Sequence, residues 1–148
     1  MVLLTIVMLE EVLSWFREQQ VVYLATADGL QPRVRPMTLI KTGDGFYMIT
    51  GARGGINAAK LAQIRRNPRV EYYMTLEGAD GNGFIRGEAT VVEVNDRATK
   101  KRVYELIGWA KSYFESSDHP DYVLLGITHR GFSYRRPGEY EIRRVTVE

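Results

Sequence analysis

Cysteine is absent from the 148-residue chain. Disulfide frameworks, zinc–thiolate sites, iron–sulfur clusters and cysteine nucleophiles are therefore excluded. Histidine is nearly absent too. His119 and His129 are the only two, ten positions apart and without a carboxylate cluster at ligand spacing, so a surface or structural role is expected for both and no metal site. No serine stands in a G-x-S-x-G context, which removes the strained nucleophile turn. Long apolar runs are missing: Val2 to Leu9 is mostly apolar, but Glu10 and Glu11 end it, far short of a bilayer span. That stretch has no basic n-region and no small-residue cleavage site, so a cytoplasmic protein without a membrane partner is expected. Neither sign of charge dominates. Lys and Arg number 20 against 18 Asp and Glu, a net charge of +2, too even to argue for nucleic acid.

What is present is a folding mixture of 45% hydrophobic, 26% charged and 11% aromatic residues. The length suits one domain, residues 1–148, that buries a core without cross-links. Leu9, Val12, Leu13 and Phe16 recur at helical spacing opposite Glu10, Glu11, Arg17 and Glu18, which predicts an amphipathic helix from about Thr5 to Gln19 with Thr5 as N-cap. The period then changes. Val21 to Ala27 and Pro32 to Lys41 read as strands around Asp28-Gly29, a hairpin whose loop is expected to be longer than the tightest type. Phe46 to Gly51 is a third strand and Ile56 to Arg66 a helix stopped by Asn67-Pro68. Val70 to Leu76 and Phe84 to Val94 are strands, Asp96 caps a helix reaching about Trp109, and Tyr122 to Thr128, Gly131 to Arg135 and Tyr140 to Val147 close the chain as strands. Strands following strands across short turns predict a mainly β fold, an antiparallel sheet or barrel with peripheral helices.

Two segments could bind an anion. Arg33 and Arg35 stand two apart in a strand and share a face, either a solvated one or one that meets a negative group. Pro36 marks a strand edge or bulge, where a ligand can approach backbone groups. Thr50 to Lys60 runs from strand end through a glycine loop, including Gly51, to a helix start, an order that favours an anion. It is neither a Walker A motif nor G-x-G-x-x-G. Trp109, Tyr113 and Phe114, at i, i+4 and i+5, suit a helix packed on the barrel or a pocket lining. Arg135, Arg136, Arg143 and Arg144 suit a solvated strand face.

In combination, Val22-Tyr23-Leu24-Ala25-Thr26-Ala27-Asp28-Gly29, Pro32-Arg33-Val34-Arg35-Pro36-Met37, Gly45-Phe46-Tyr47-Met48-Ile49-Thr50, Lys60 and Asn67-Pro68-Arg69-Val70 resemble the pyridoxamine 5′-phosphate oxidase-like family of flavin-binding split β-barrels. The resemblance covers about residues 8 to 94. It implies a split β-barrel homodimer with FMN at the subunit interface. It implies that Arg35 contacts the FMN phosphate and that Pro36, Met37 and Thr38 run along the isoalloxazine. Ile49 and Thr50 match the strand-end pair near the ring and its phosphate tail, Lys60 matches a phosphate-binding helix lysine, and Asn82 matches a polar residue reaching in from the other subunit. Ala58 and Ala59 stand where relatives often carry Ser and Arg, so either the phosphate has fewer ligands here or Arg53 and Asn57 replace them. The chain lacks the C-terminal arginine/histidine motif expected for pyridoxal phosphate production.

The implied function is that of an FMN-dependent oxidoreductase acting on a small molecule, with no catalytic residue identified because the flavin carries the reactive group. The alternatives are a flavin-binding protein without turnover, and the same barrel holding deazaflavin or haem. A small nucleic-acid-binding barrel is a further alternative, from Lys60, Arg65, Arg66 and Arg69 beside Tyr72 and Tyr73. Against it, basic residues at a helix end suit the helix dipole, and adjacent strand tyrosines face opposite ways.

Overall fold

The computed structural model describes residues 2–53 and 55–147, with side chains for all of these except residues 2 and 55–58. Seven strands and four helices follow in the order α1 (Val2–Ser14), β1 (Gln19–Asp28), β2 (Gln31–Thr42), β3 (Gly45–Gly51), α2 (Gly55–Arg66), β4 (Arg69–Gly78), β5 (Gly81–Glu93), α3 (Arg97–Leu106), α4 (Ala110–Tyr113), β6 (Tyr122–Arg135) and β7 (Arg143–Thr146). Every strand pairing is antiparallel. The sheet order β3-β2-β1-β4-β5-β6-β7 closes through an additional β3–β6 pairing. The expected mainly β barrel with peripheral helices is therefore the fold.

Side-chain alternation decides what lies inside. Along β4, Val70, Tyr72, Met74 and Leu76 are buried while the residues between them face out. This is the period-2 pattern of a strand covering a core on one side. Tyr72 is 1% exposed and Tyr73 40%, so the two tyrosines do face opposite ways. Inside the ring, Tyr72 lies across from Gly87 on β5. A Cβ at Gly87 would sit 2.2 Å from the Tyr72 ring, so glycine there is what lets the ring cross the barrel. The Tyr72 hydroxyl and His129 Nε2 are 2.7 Å apart. The imidazole is ringed by Phe46, Phe132 and Phe16, with centroids 4.6, 4.7 and 6.4 Å away. His119 accepts the Asp121 backbone N–H at 3.1 Å. Both histidines thus serve the fold.

The helices differ from the sequence expectation at their ends. α1 spans Val2–Ser14, so Thr5 lies inside it. It stops early because Gln19 and Gln20 already pair with Ile40 and Leu39 as the start of β1. The β1–β2 hairpin is tighter than expected: Asp28 pairs with Gln31, and Gly29 turns the chain at φ 65°. Asp96 caps α3 as expected, accepting the Thr99 N–H at 3.0 Å. α3 ends at Leu106, and the short α4 carries the chain on past Gly108. The two expected strands after Tyr122 are one strand, β6, whose register shifts where Glu88 faces Gly131 and Ala89 faces His129. Arg130 is the extra residue of that bulge.

A second apolar cluster forms outside the ring. Ile40, Tyr47, Ile49, Tyr122 and Leu124 of the strands meet Val103, Tyr104, Ile107, Ala110 and Phe114 of the helices. α1 joins the inner cluster through Val12 and Phe16 and is pinned by polar contacts. Arg136 grips Glu11 with two bonds of 2.7 Å, and the Tyr134 hydroxyl donates to the same carboxylate. Arg144 pairs with Glu88, and Arg143 with Glu139 and Glu141, so three of the four C-terminal arginines are spent on ion pairs, while Arg135 donates to the Asn82 carbonyl.

Two of the groups that make stability depend on pH are Glu11 and His129. The Arg136 guanidinium holds the Glu11 carboxyl at about 2, below its ordinary 4.5. That contribution is complete above pH 4.5 and is lost as the pH falls toward 2. Burial lowers His129 from 6.5 to about 4. Between those values the unfolded chain takes up a proton that the folded chain refuses, so stability declines as pH drops from 6.5 toward 4. Urea midpoints measured across pH should show both windows. His129→Gln should flatten the upper one and leave the lower; an unchanged profile in that variant would remove the assignment.

Candidate functional site

The amphipathic stripe of α2 lies against the strands, and it is polar where apolar contact is expected. Lys60 is 5% exposed and Gln63, one turn on, 8%. Lys60 Nζ donates to Thr50 Oγ1 at 3.1 Å and reaches Met37 Sδ at 3.3 Å. These two partners come from adjacent strands, Met37 from β2 and Thr50 from β3. Gln63 extends the stripe to β1: Arg35 Nη1 donates to Thr26 Oγ1 at 2.7 Å, Arg35 Nη2 donates to Gln63 Oε1 at 3.2 Å, and Thr26 Oγ1 donates to Gln63 Oε1 at 3.0 Å.

The electrostatics of this stripe are unfavourable to its cations. Burial lowers the Lys60 ammonium below its ordinary range, and the charge of Arg35 lowers it further. Arg35 is lowered by its own burial and then by Arg33. Desolvation and mutual repulsion both act against the charged forms. An anion placed among these groups reverses the second effect and compensates the first, and a phosphate with close to two negative charges suits a guanidinium fork and an ammonium together.

A cavity of about 440 Å³ opens beside the stripe, in the size range of small-molecule sites. Thr38, Ile49, Thr50, Gly51 and Lys60 line one side; Trp109, Tyr113 and Phe114 line the other. Five of the residues expected from sequence are thus brought together. Met37 is on the inner side of β2 and touches the site through its contact with Lys60. Arg35 reaches it through the α2 stripe and does not line the cavity, and Pro36 is exposed on the outer side of β2 opposite Tyr23. Asn82 sits in the β4–β5 hairpin opposite Glu77, away from the cavity lining of its own chain, with its carbonyl accepting from Arg135. The Asn57 side chain lies outside the described residues. Arg53 is exposed. Among the described residues no group of His, Asp or Glu is placed to hold a metal ion, and no helix is long and apolar enough to cross a membrane.

Sequence reasoning missed Thr26 and Gln63, which orient Arg35. The available signal was the i, i+3 spacing of Lys60 and Gln63 on one helix face. It also treated the three aromatics after α3 as a unit. All three line the cavity, but Phe114 is 7% exposed and also belongs to the outer cluster, whereas Tyr113 is 73% exposed.

Comparison with known proteins places these features in a family. The family model for pyridoxamine 5′-phosphate oxidase matches residues 8–136. No curated protein sequence matches the chain. The fold recurs in solved structures. A NimC/NimA family protein of Clostridium acetobutylicum is 24% identical, with a TM-score of 0.73 over 93% of this chain and 91% of that one. An FAD-binding protein of Mesorhizobium loti is 20% identical, with a TM-score of 0.63 over 86% and 90%. A haem-binding protein of Mycobacterium smegmatis is 14% identical, with a TM-score of 0.66 over 87% of this chain and 53% of that one. At these identities the likeness is one of fold.

Burial and the charge of Arg35 both act against the Lys60 ammonium, and a bound anion relieves both effects. Inorganic phosphate should therefore raise the thermal midpoint of the wild type and raise it less in Lys60→Met, measured by calorimetry. An equal rise in the two proteins would remove Lys60 from the anion site.

Proposed function

Because the chain belongs to the pyridoxamine 5′-phosphate oxidase-like family, we propose that it binds FMN and acts as a flavin-dependent oxidoreductase on a small molecule. The observation that carries this reading is Lys60, buried against Thr50 at the rim of the cavity, with Arg35 held on the same helix stripe. In this reading Lys60, Thr50 and Arg35 hold the phosphate. The strip from Thr38 to Ile49 and Gly51 lies along the ring and offers backbone groups to its edge. The flavin, when bound, supplies the redox chemistry. The chain's own residues bind it, orient it and exclude water from one side.

A second copy of the chain completes the pocket in this proposal. Val21, Tyr23, Val34 and Tyr73 are 60, 50, 68 and 40% exposed. Strand register makes them neighbours: Tyr23 faces both Pro36 and Tyr73, and Ala25 faces Val34. Tyr73 stacks on Phe84 with centroids 5.6 Å apart. An apolar patch of this kind marks an interaction surface. It adjoins the cavity, because Val21 pairs with Thr38. The same assembly gives Asn82, remote from its own cavity, a partner's site to reach.

Haem is the weaker reading for this chain. His129 is held inside the barrel by Tyr72 and His119 by a loop amide, so neither histidine lines the cavity as an axial ligand. The visible spectrum of the purified protein separates flavin, deazaflavin and haem. NAD(P)H oxidation by the loaded protein separates an enzyme from a flavin carrier.

Charged hydrogen bonds contribute about 1.5–3 kcal/mol each. Lys60→Ala and Arg35→Ala should therefore each weaken FMN by about 10- to 150-fold by calorimetric titration, while exposed Arg33→Ala changes it little. Wild-type affinity in both variants would remove the phosphate assignment.

A further inference from the structure

The cavity has an aromatic side that the phosphate anchor does not explain. α4 is fixed at both ends by groups other than its exposed ring. At its end the Phe114 carbonyl accepts the Tyr104 hydroxyl at 2.7 Å, and the Phe114 ring meets Tyr122 at 5.4 Å. At its start Trp109 Nε1 donates to Gln19 Oε1 at 2.8 Å, which ties the indole to the first residue of β1. Tyr113 contributes little to this anchoring. It is 73% exposed, yet its ring meets Trp109 edge-on, 6.0 Å away at 86°, and both rings line the cavity.

The opposite side of the same cavity is the β2–β3 strip. β2 and β3 run antiparallel, with Ile40 beside Tyr47, so Thr38 and Ile49 lie near one another and Thr50 follows toward Lys60. Gln19 pairs with Ile40 at the end of this strip away from Lys60, and Trp109 is tied to Gln19. A ligand anchored by an anion at Lys60 and extending along the strip must therefore pass the Trp109–Tyr113 side. Indole and phenol rings offer a flat ligand stacking area, and the indole N–H is already satisfied by Gln19, so the ring presents its apolar surface.

We propose that Trp109 and Tyr113 form a stacking wall for the planar ring system of the bound ligand, with Gln19 as the positioning residue that holds the indole. This rests on the flavin reading above and deepens it. Lys60 reads the phosphate and the wall reads the ring, so the two contributions separate with and without the phosphate.

The test compares FMN with riboflavin, which has the ring and no phosphate, by titration against the full chain. Trp109→Ala should weaken both by the same factor, about 5- to 50-fold, and Lys60→Gln should weaken FMN alone. Tyr113→Ala, at an exposed position that folding does not need, should weaken both flavins less than Trp109→Ala does. Trp109→Phe, which keeps a ring, should recover most of the affinity. Gln19→Leu should weaken both flavins moderately, and Gln19→Glu, which retains the acceptor, should restore them. Flavin fluorescence should be quenched in the wild type by the stacked indole and recover in Trp109→Phe. The wall is overturned if Trp109→Ala and Tyr113→Ala leave both affinities and the fluorescence at wild-type values, or if the loss in Trp109→Ala is confined to FMN. In that case wild-type FMN binding still stands and the flavin reading survives. A wild type that binds neither flavin overturns both.

Discussion

The site depends on one strand serving two neighbours along a single edge. β6 keeps β5 on one side for most of its length. On the other side its first part, Tyr122 to Ile127, pairs with β3, and its last part, Gly131 to Tyr134, pairs with β7. The β3–β6 pairing turns an open sheet into a ring. The β2–β3 hairpin brings Thr50 toward Met37, and closure holds that end of β3 at the height where α2 presents Lys60. It also leaves the outer surface of β3 and β6 to be covered by α3 and α4, which brings the aromatic wall to the cavity. The Arg130 bulge lies between the two pairing regions. A strand with two partners on one edge must twist between them, and a bulge raises local twist.

Much of this architecture was legible because strand periodicity is local. Strand alternation predicts that Tyr72 and Tyr73 face opposite ways, and the Asp96 cap is readable from residue type and position. Thr50 and Lys60 were legible as the two ends of a strand–glycine loop–helix segment suited to an anion, and the family resemblance added the role of each. Element ends were less legible. α1 gives way to β1 at residues that are compatible with a helix, because pairing with β2 outweighs propensity. The Gln63–Thr26–Arg35 network joins three elements, and the i, i+3 spacing of Lys60 and Gln63 signals only the helix face, not the strand partners. The different surroundings of Trp109, Tyr113 and Phe114 go with the break between α3 and α4 at Gly108 and with the contact of the indole to Gln19 across 90 residues.

The fold concentrates positive charge where burial makes it costly and pairs seven of its other arginines with carboxylates. Arg136, Arg143, Arg144, Arg65, Arg66, Arg97 and Arg102 each meet an acid. Arg35 forms no ion pair among the described residues and is held by neutral groups instead. Thr26 and Gln63 accept its hydrogen bonds without neutralising it, so the guanidinium is oriented and its full charge remains for a ligand. This separation of orientation from neutralisation distinguishes the stripe on α2 from the ordinary ion pairs of the surface.

The close approach of Gly87 to Tyr72 has a consequence for how such a sequence can change. The two positions share one volume inside the barrel, and the phenol occupies all of it. A larger residue at position 87 is compatible with this fold only if position 72 shrinks, and that exchange would also remove the hydroxyl that meets His129. Position 129 is then released from polarity and can become apolar among its phenylalanine neighbours. Substitutions at these three sites are therefore coupled, and in diverging descendants of this sequence positions 72, 87 and 129 should change together rather than singly.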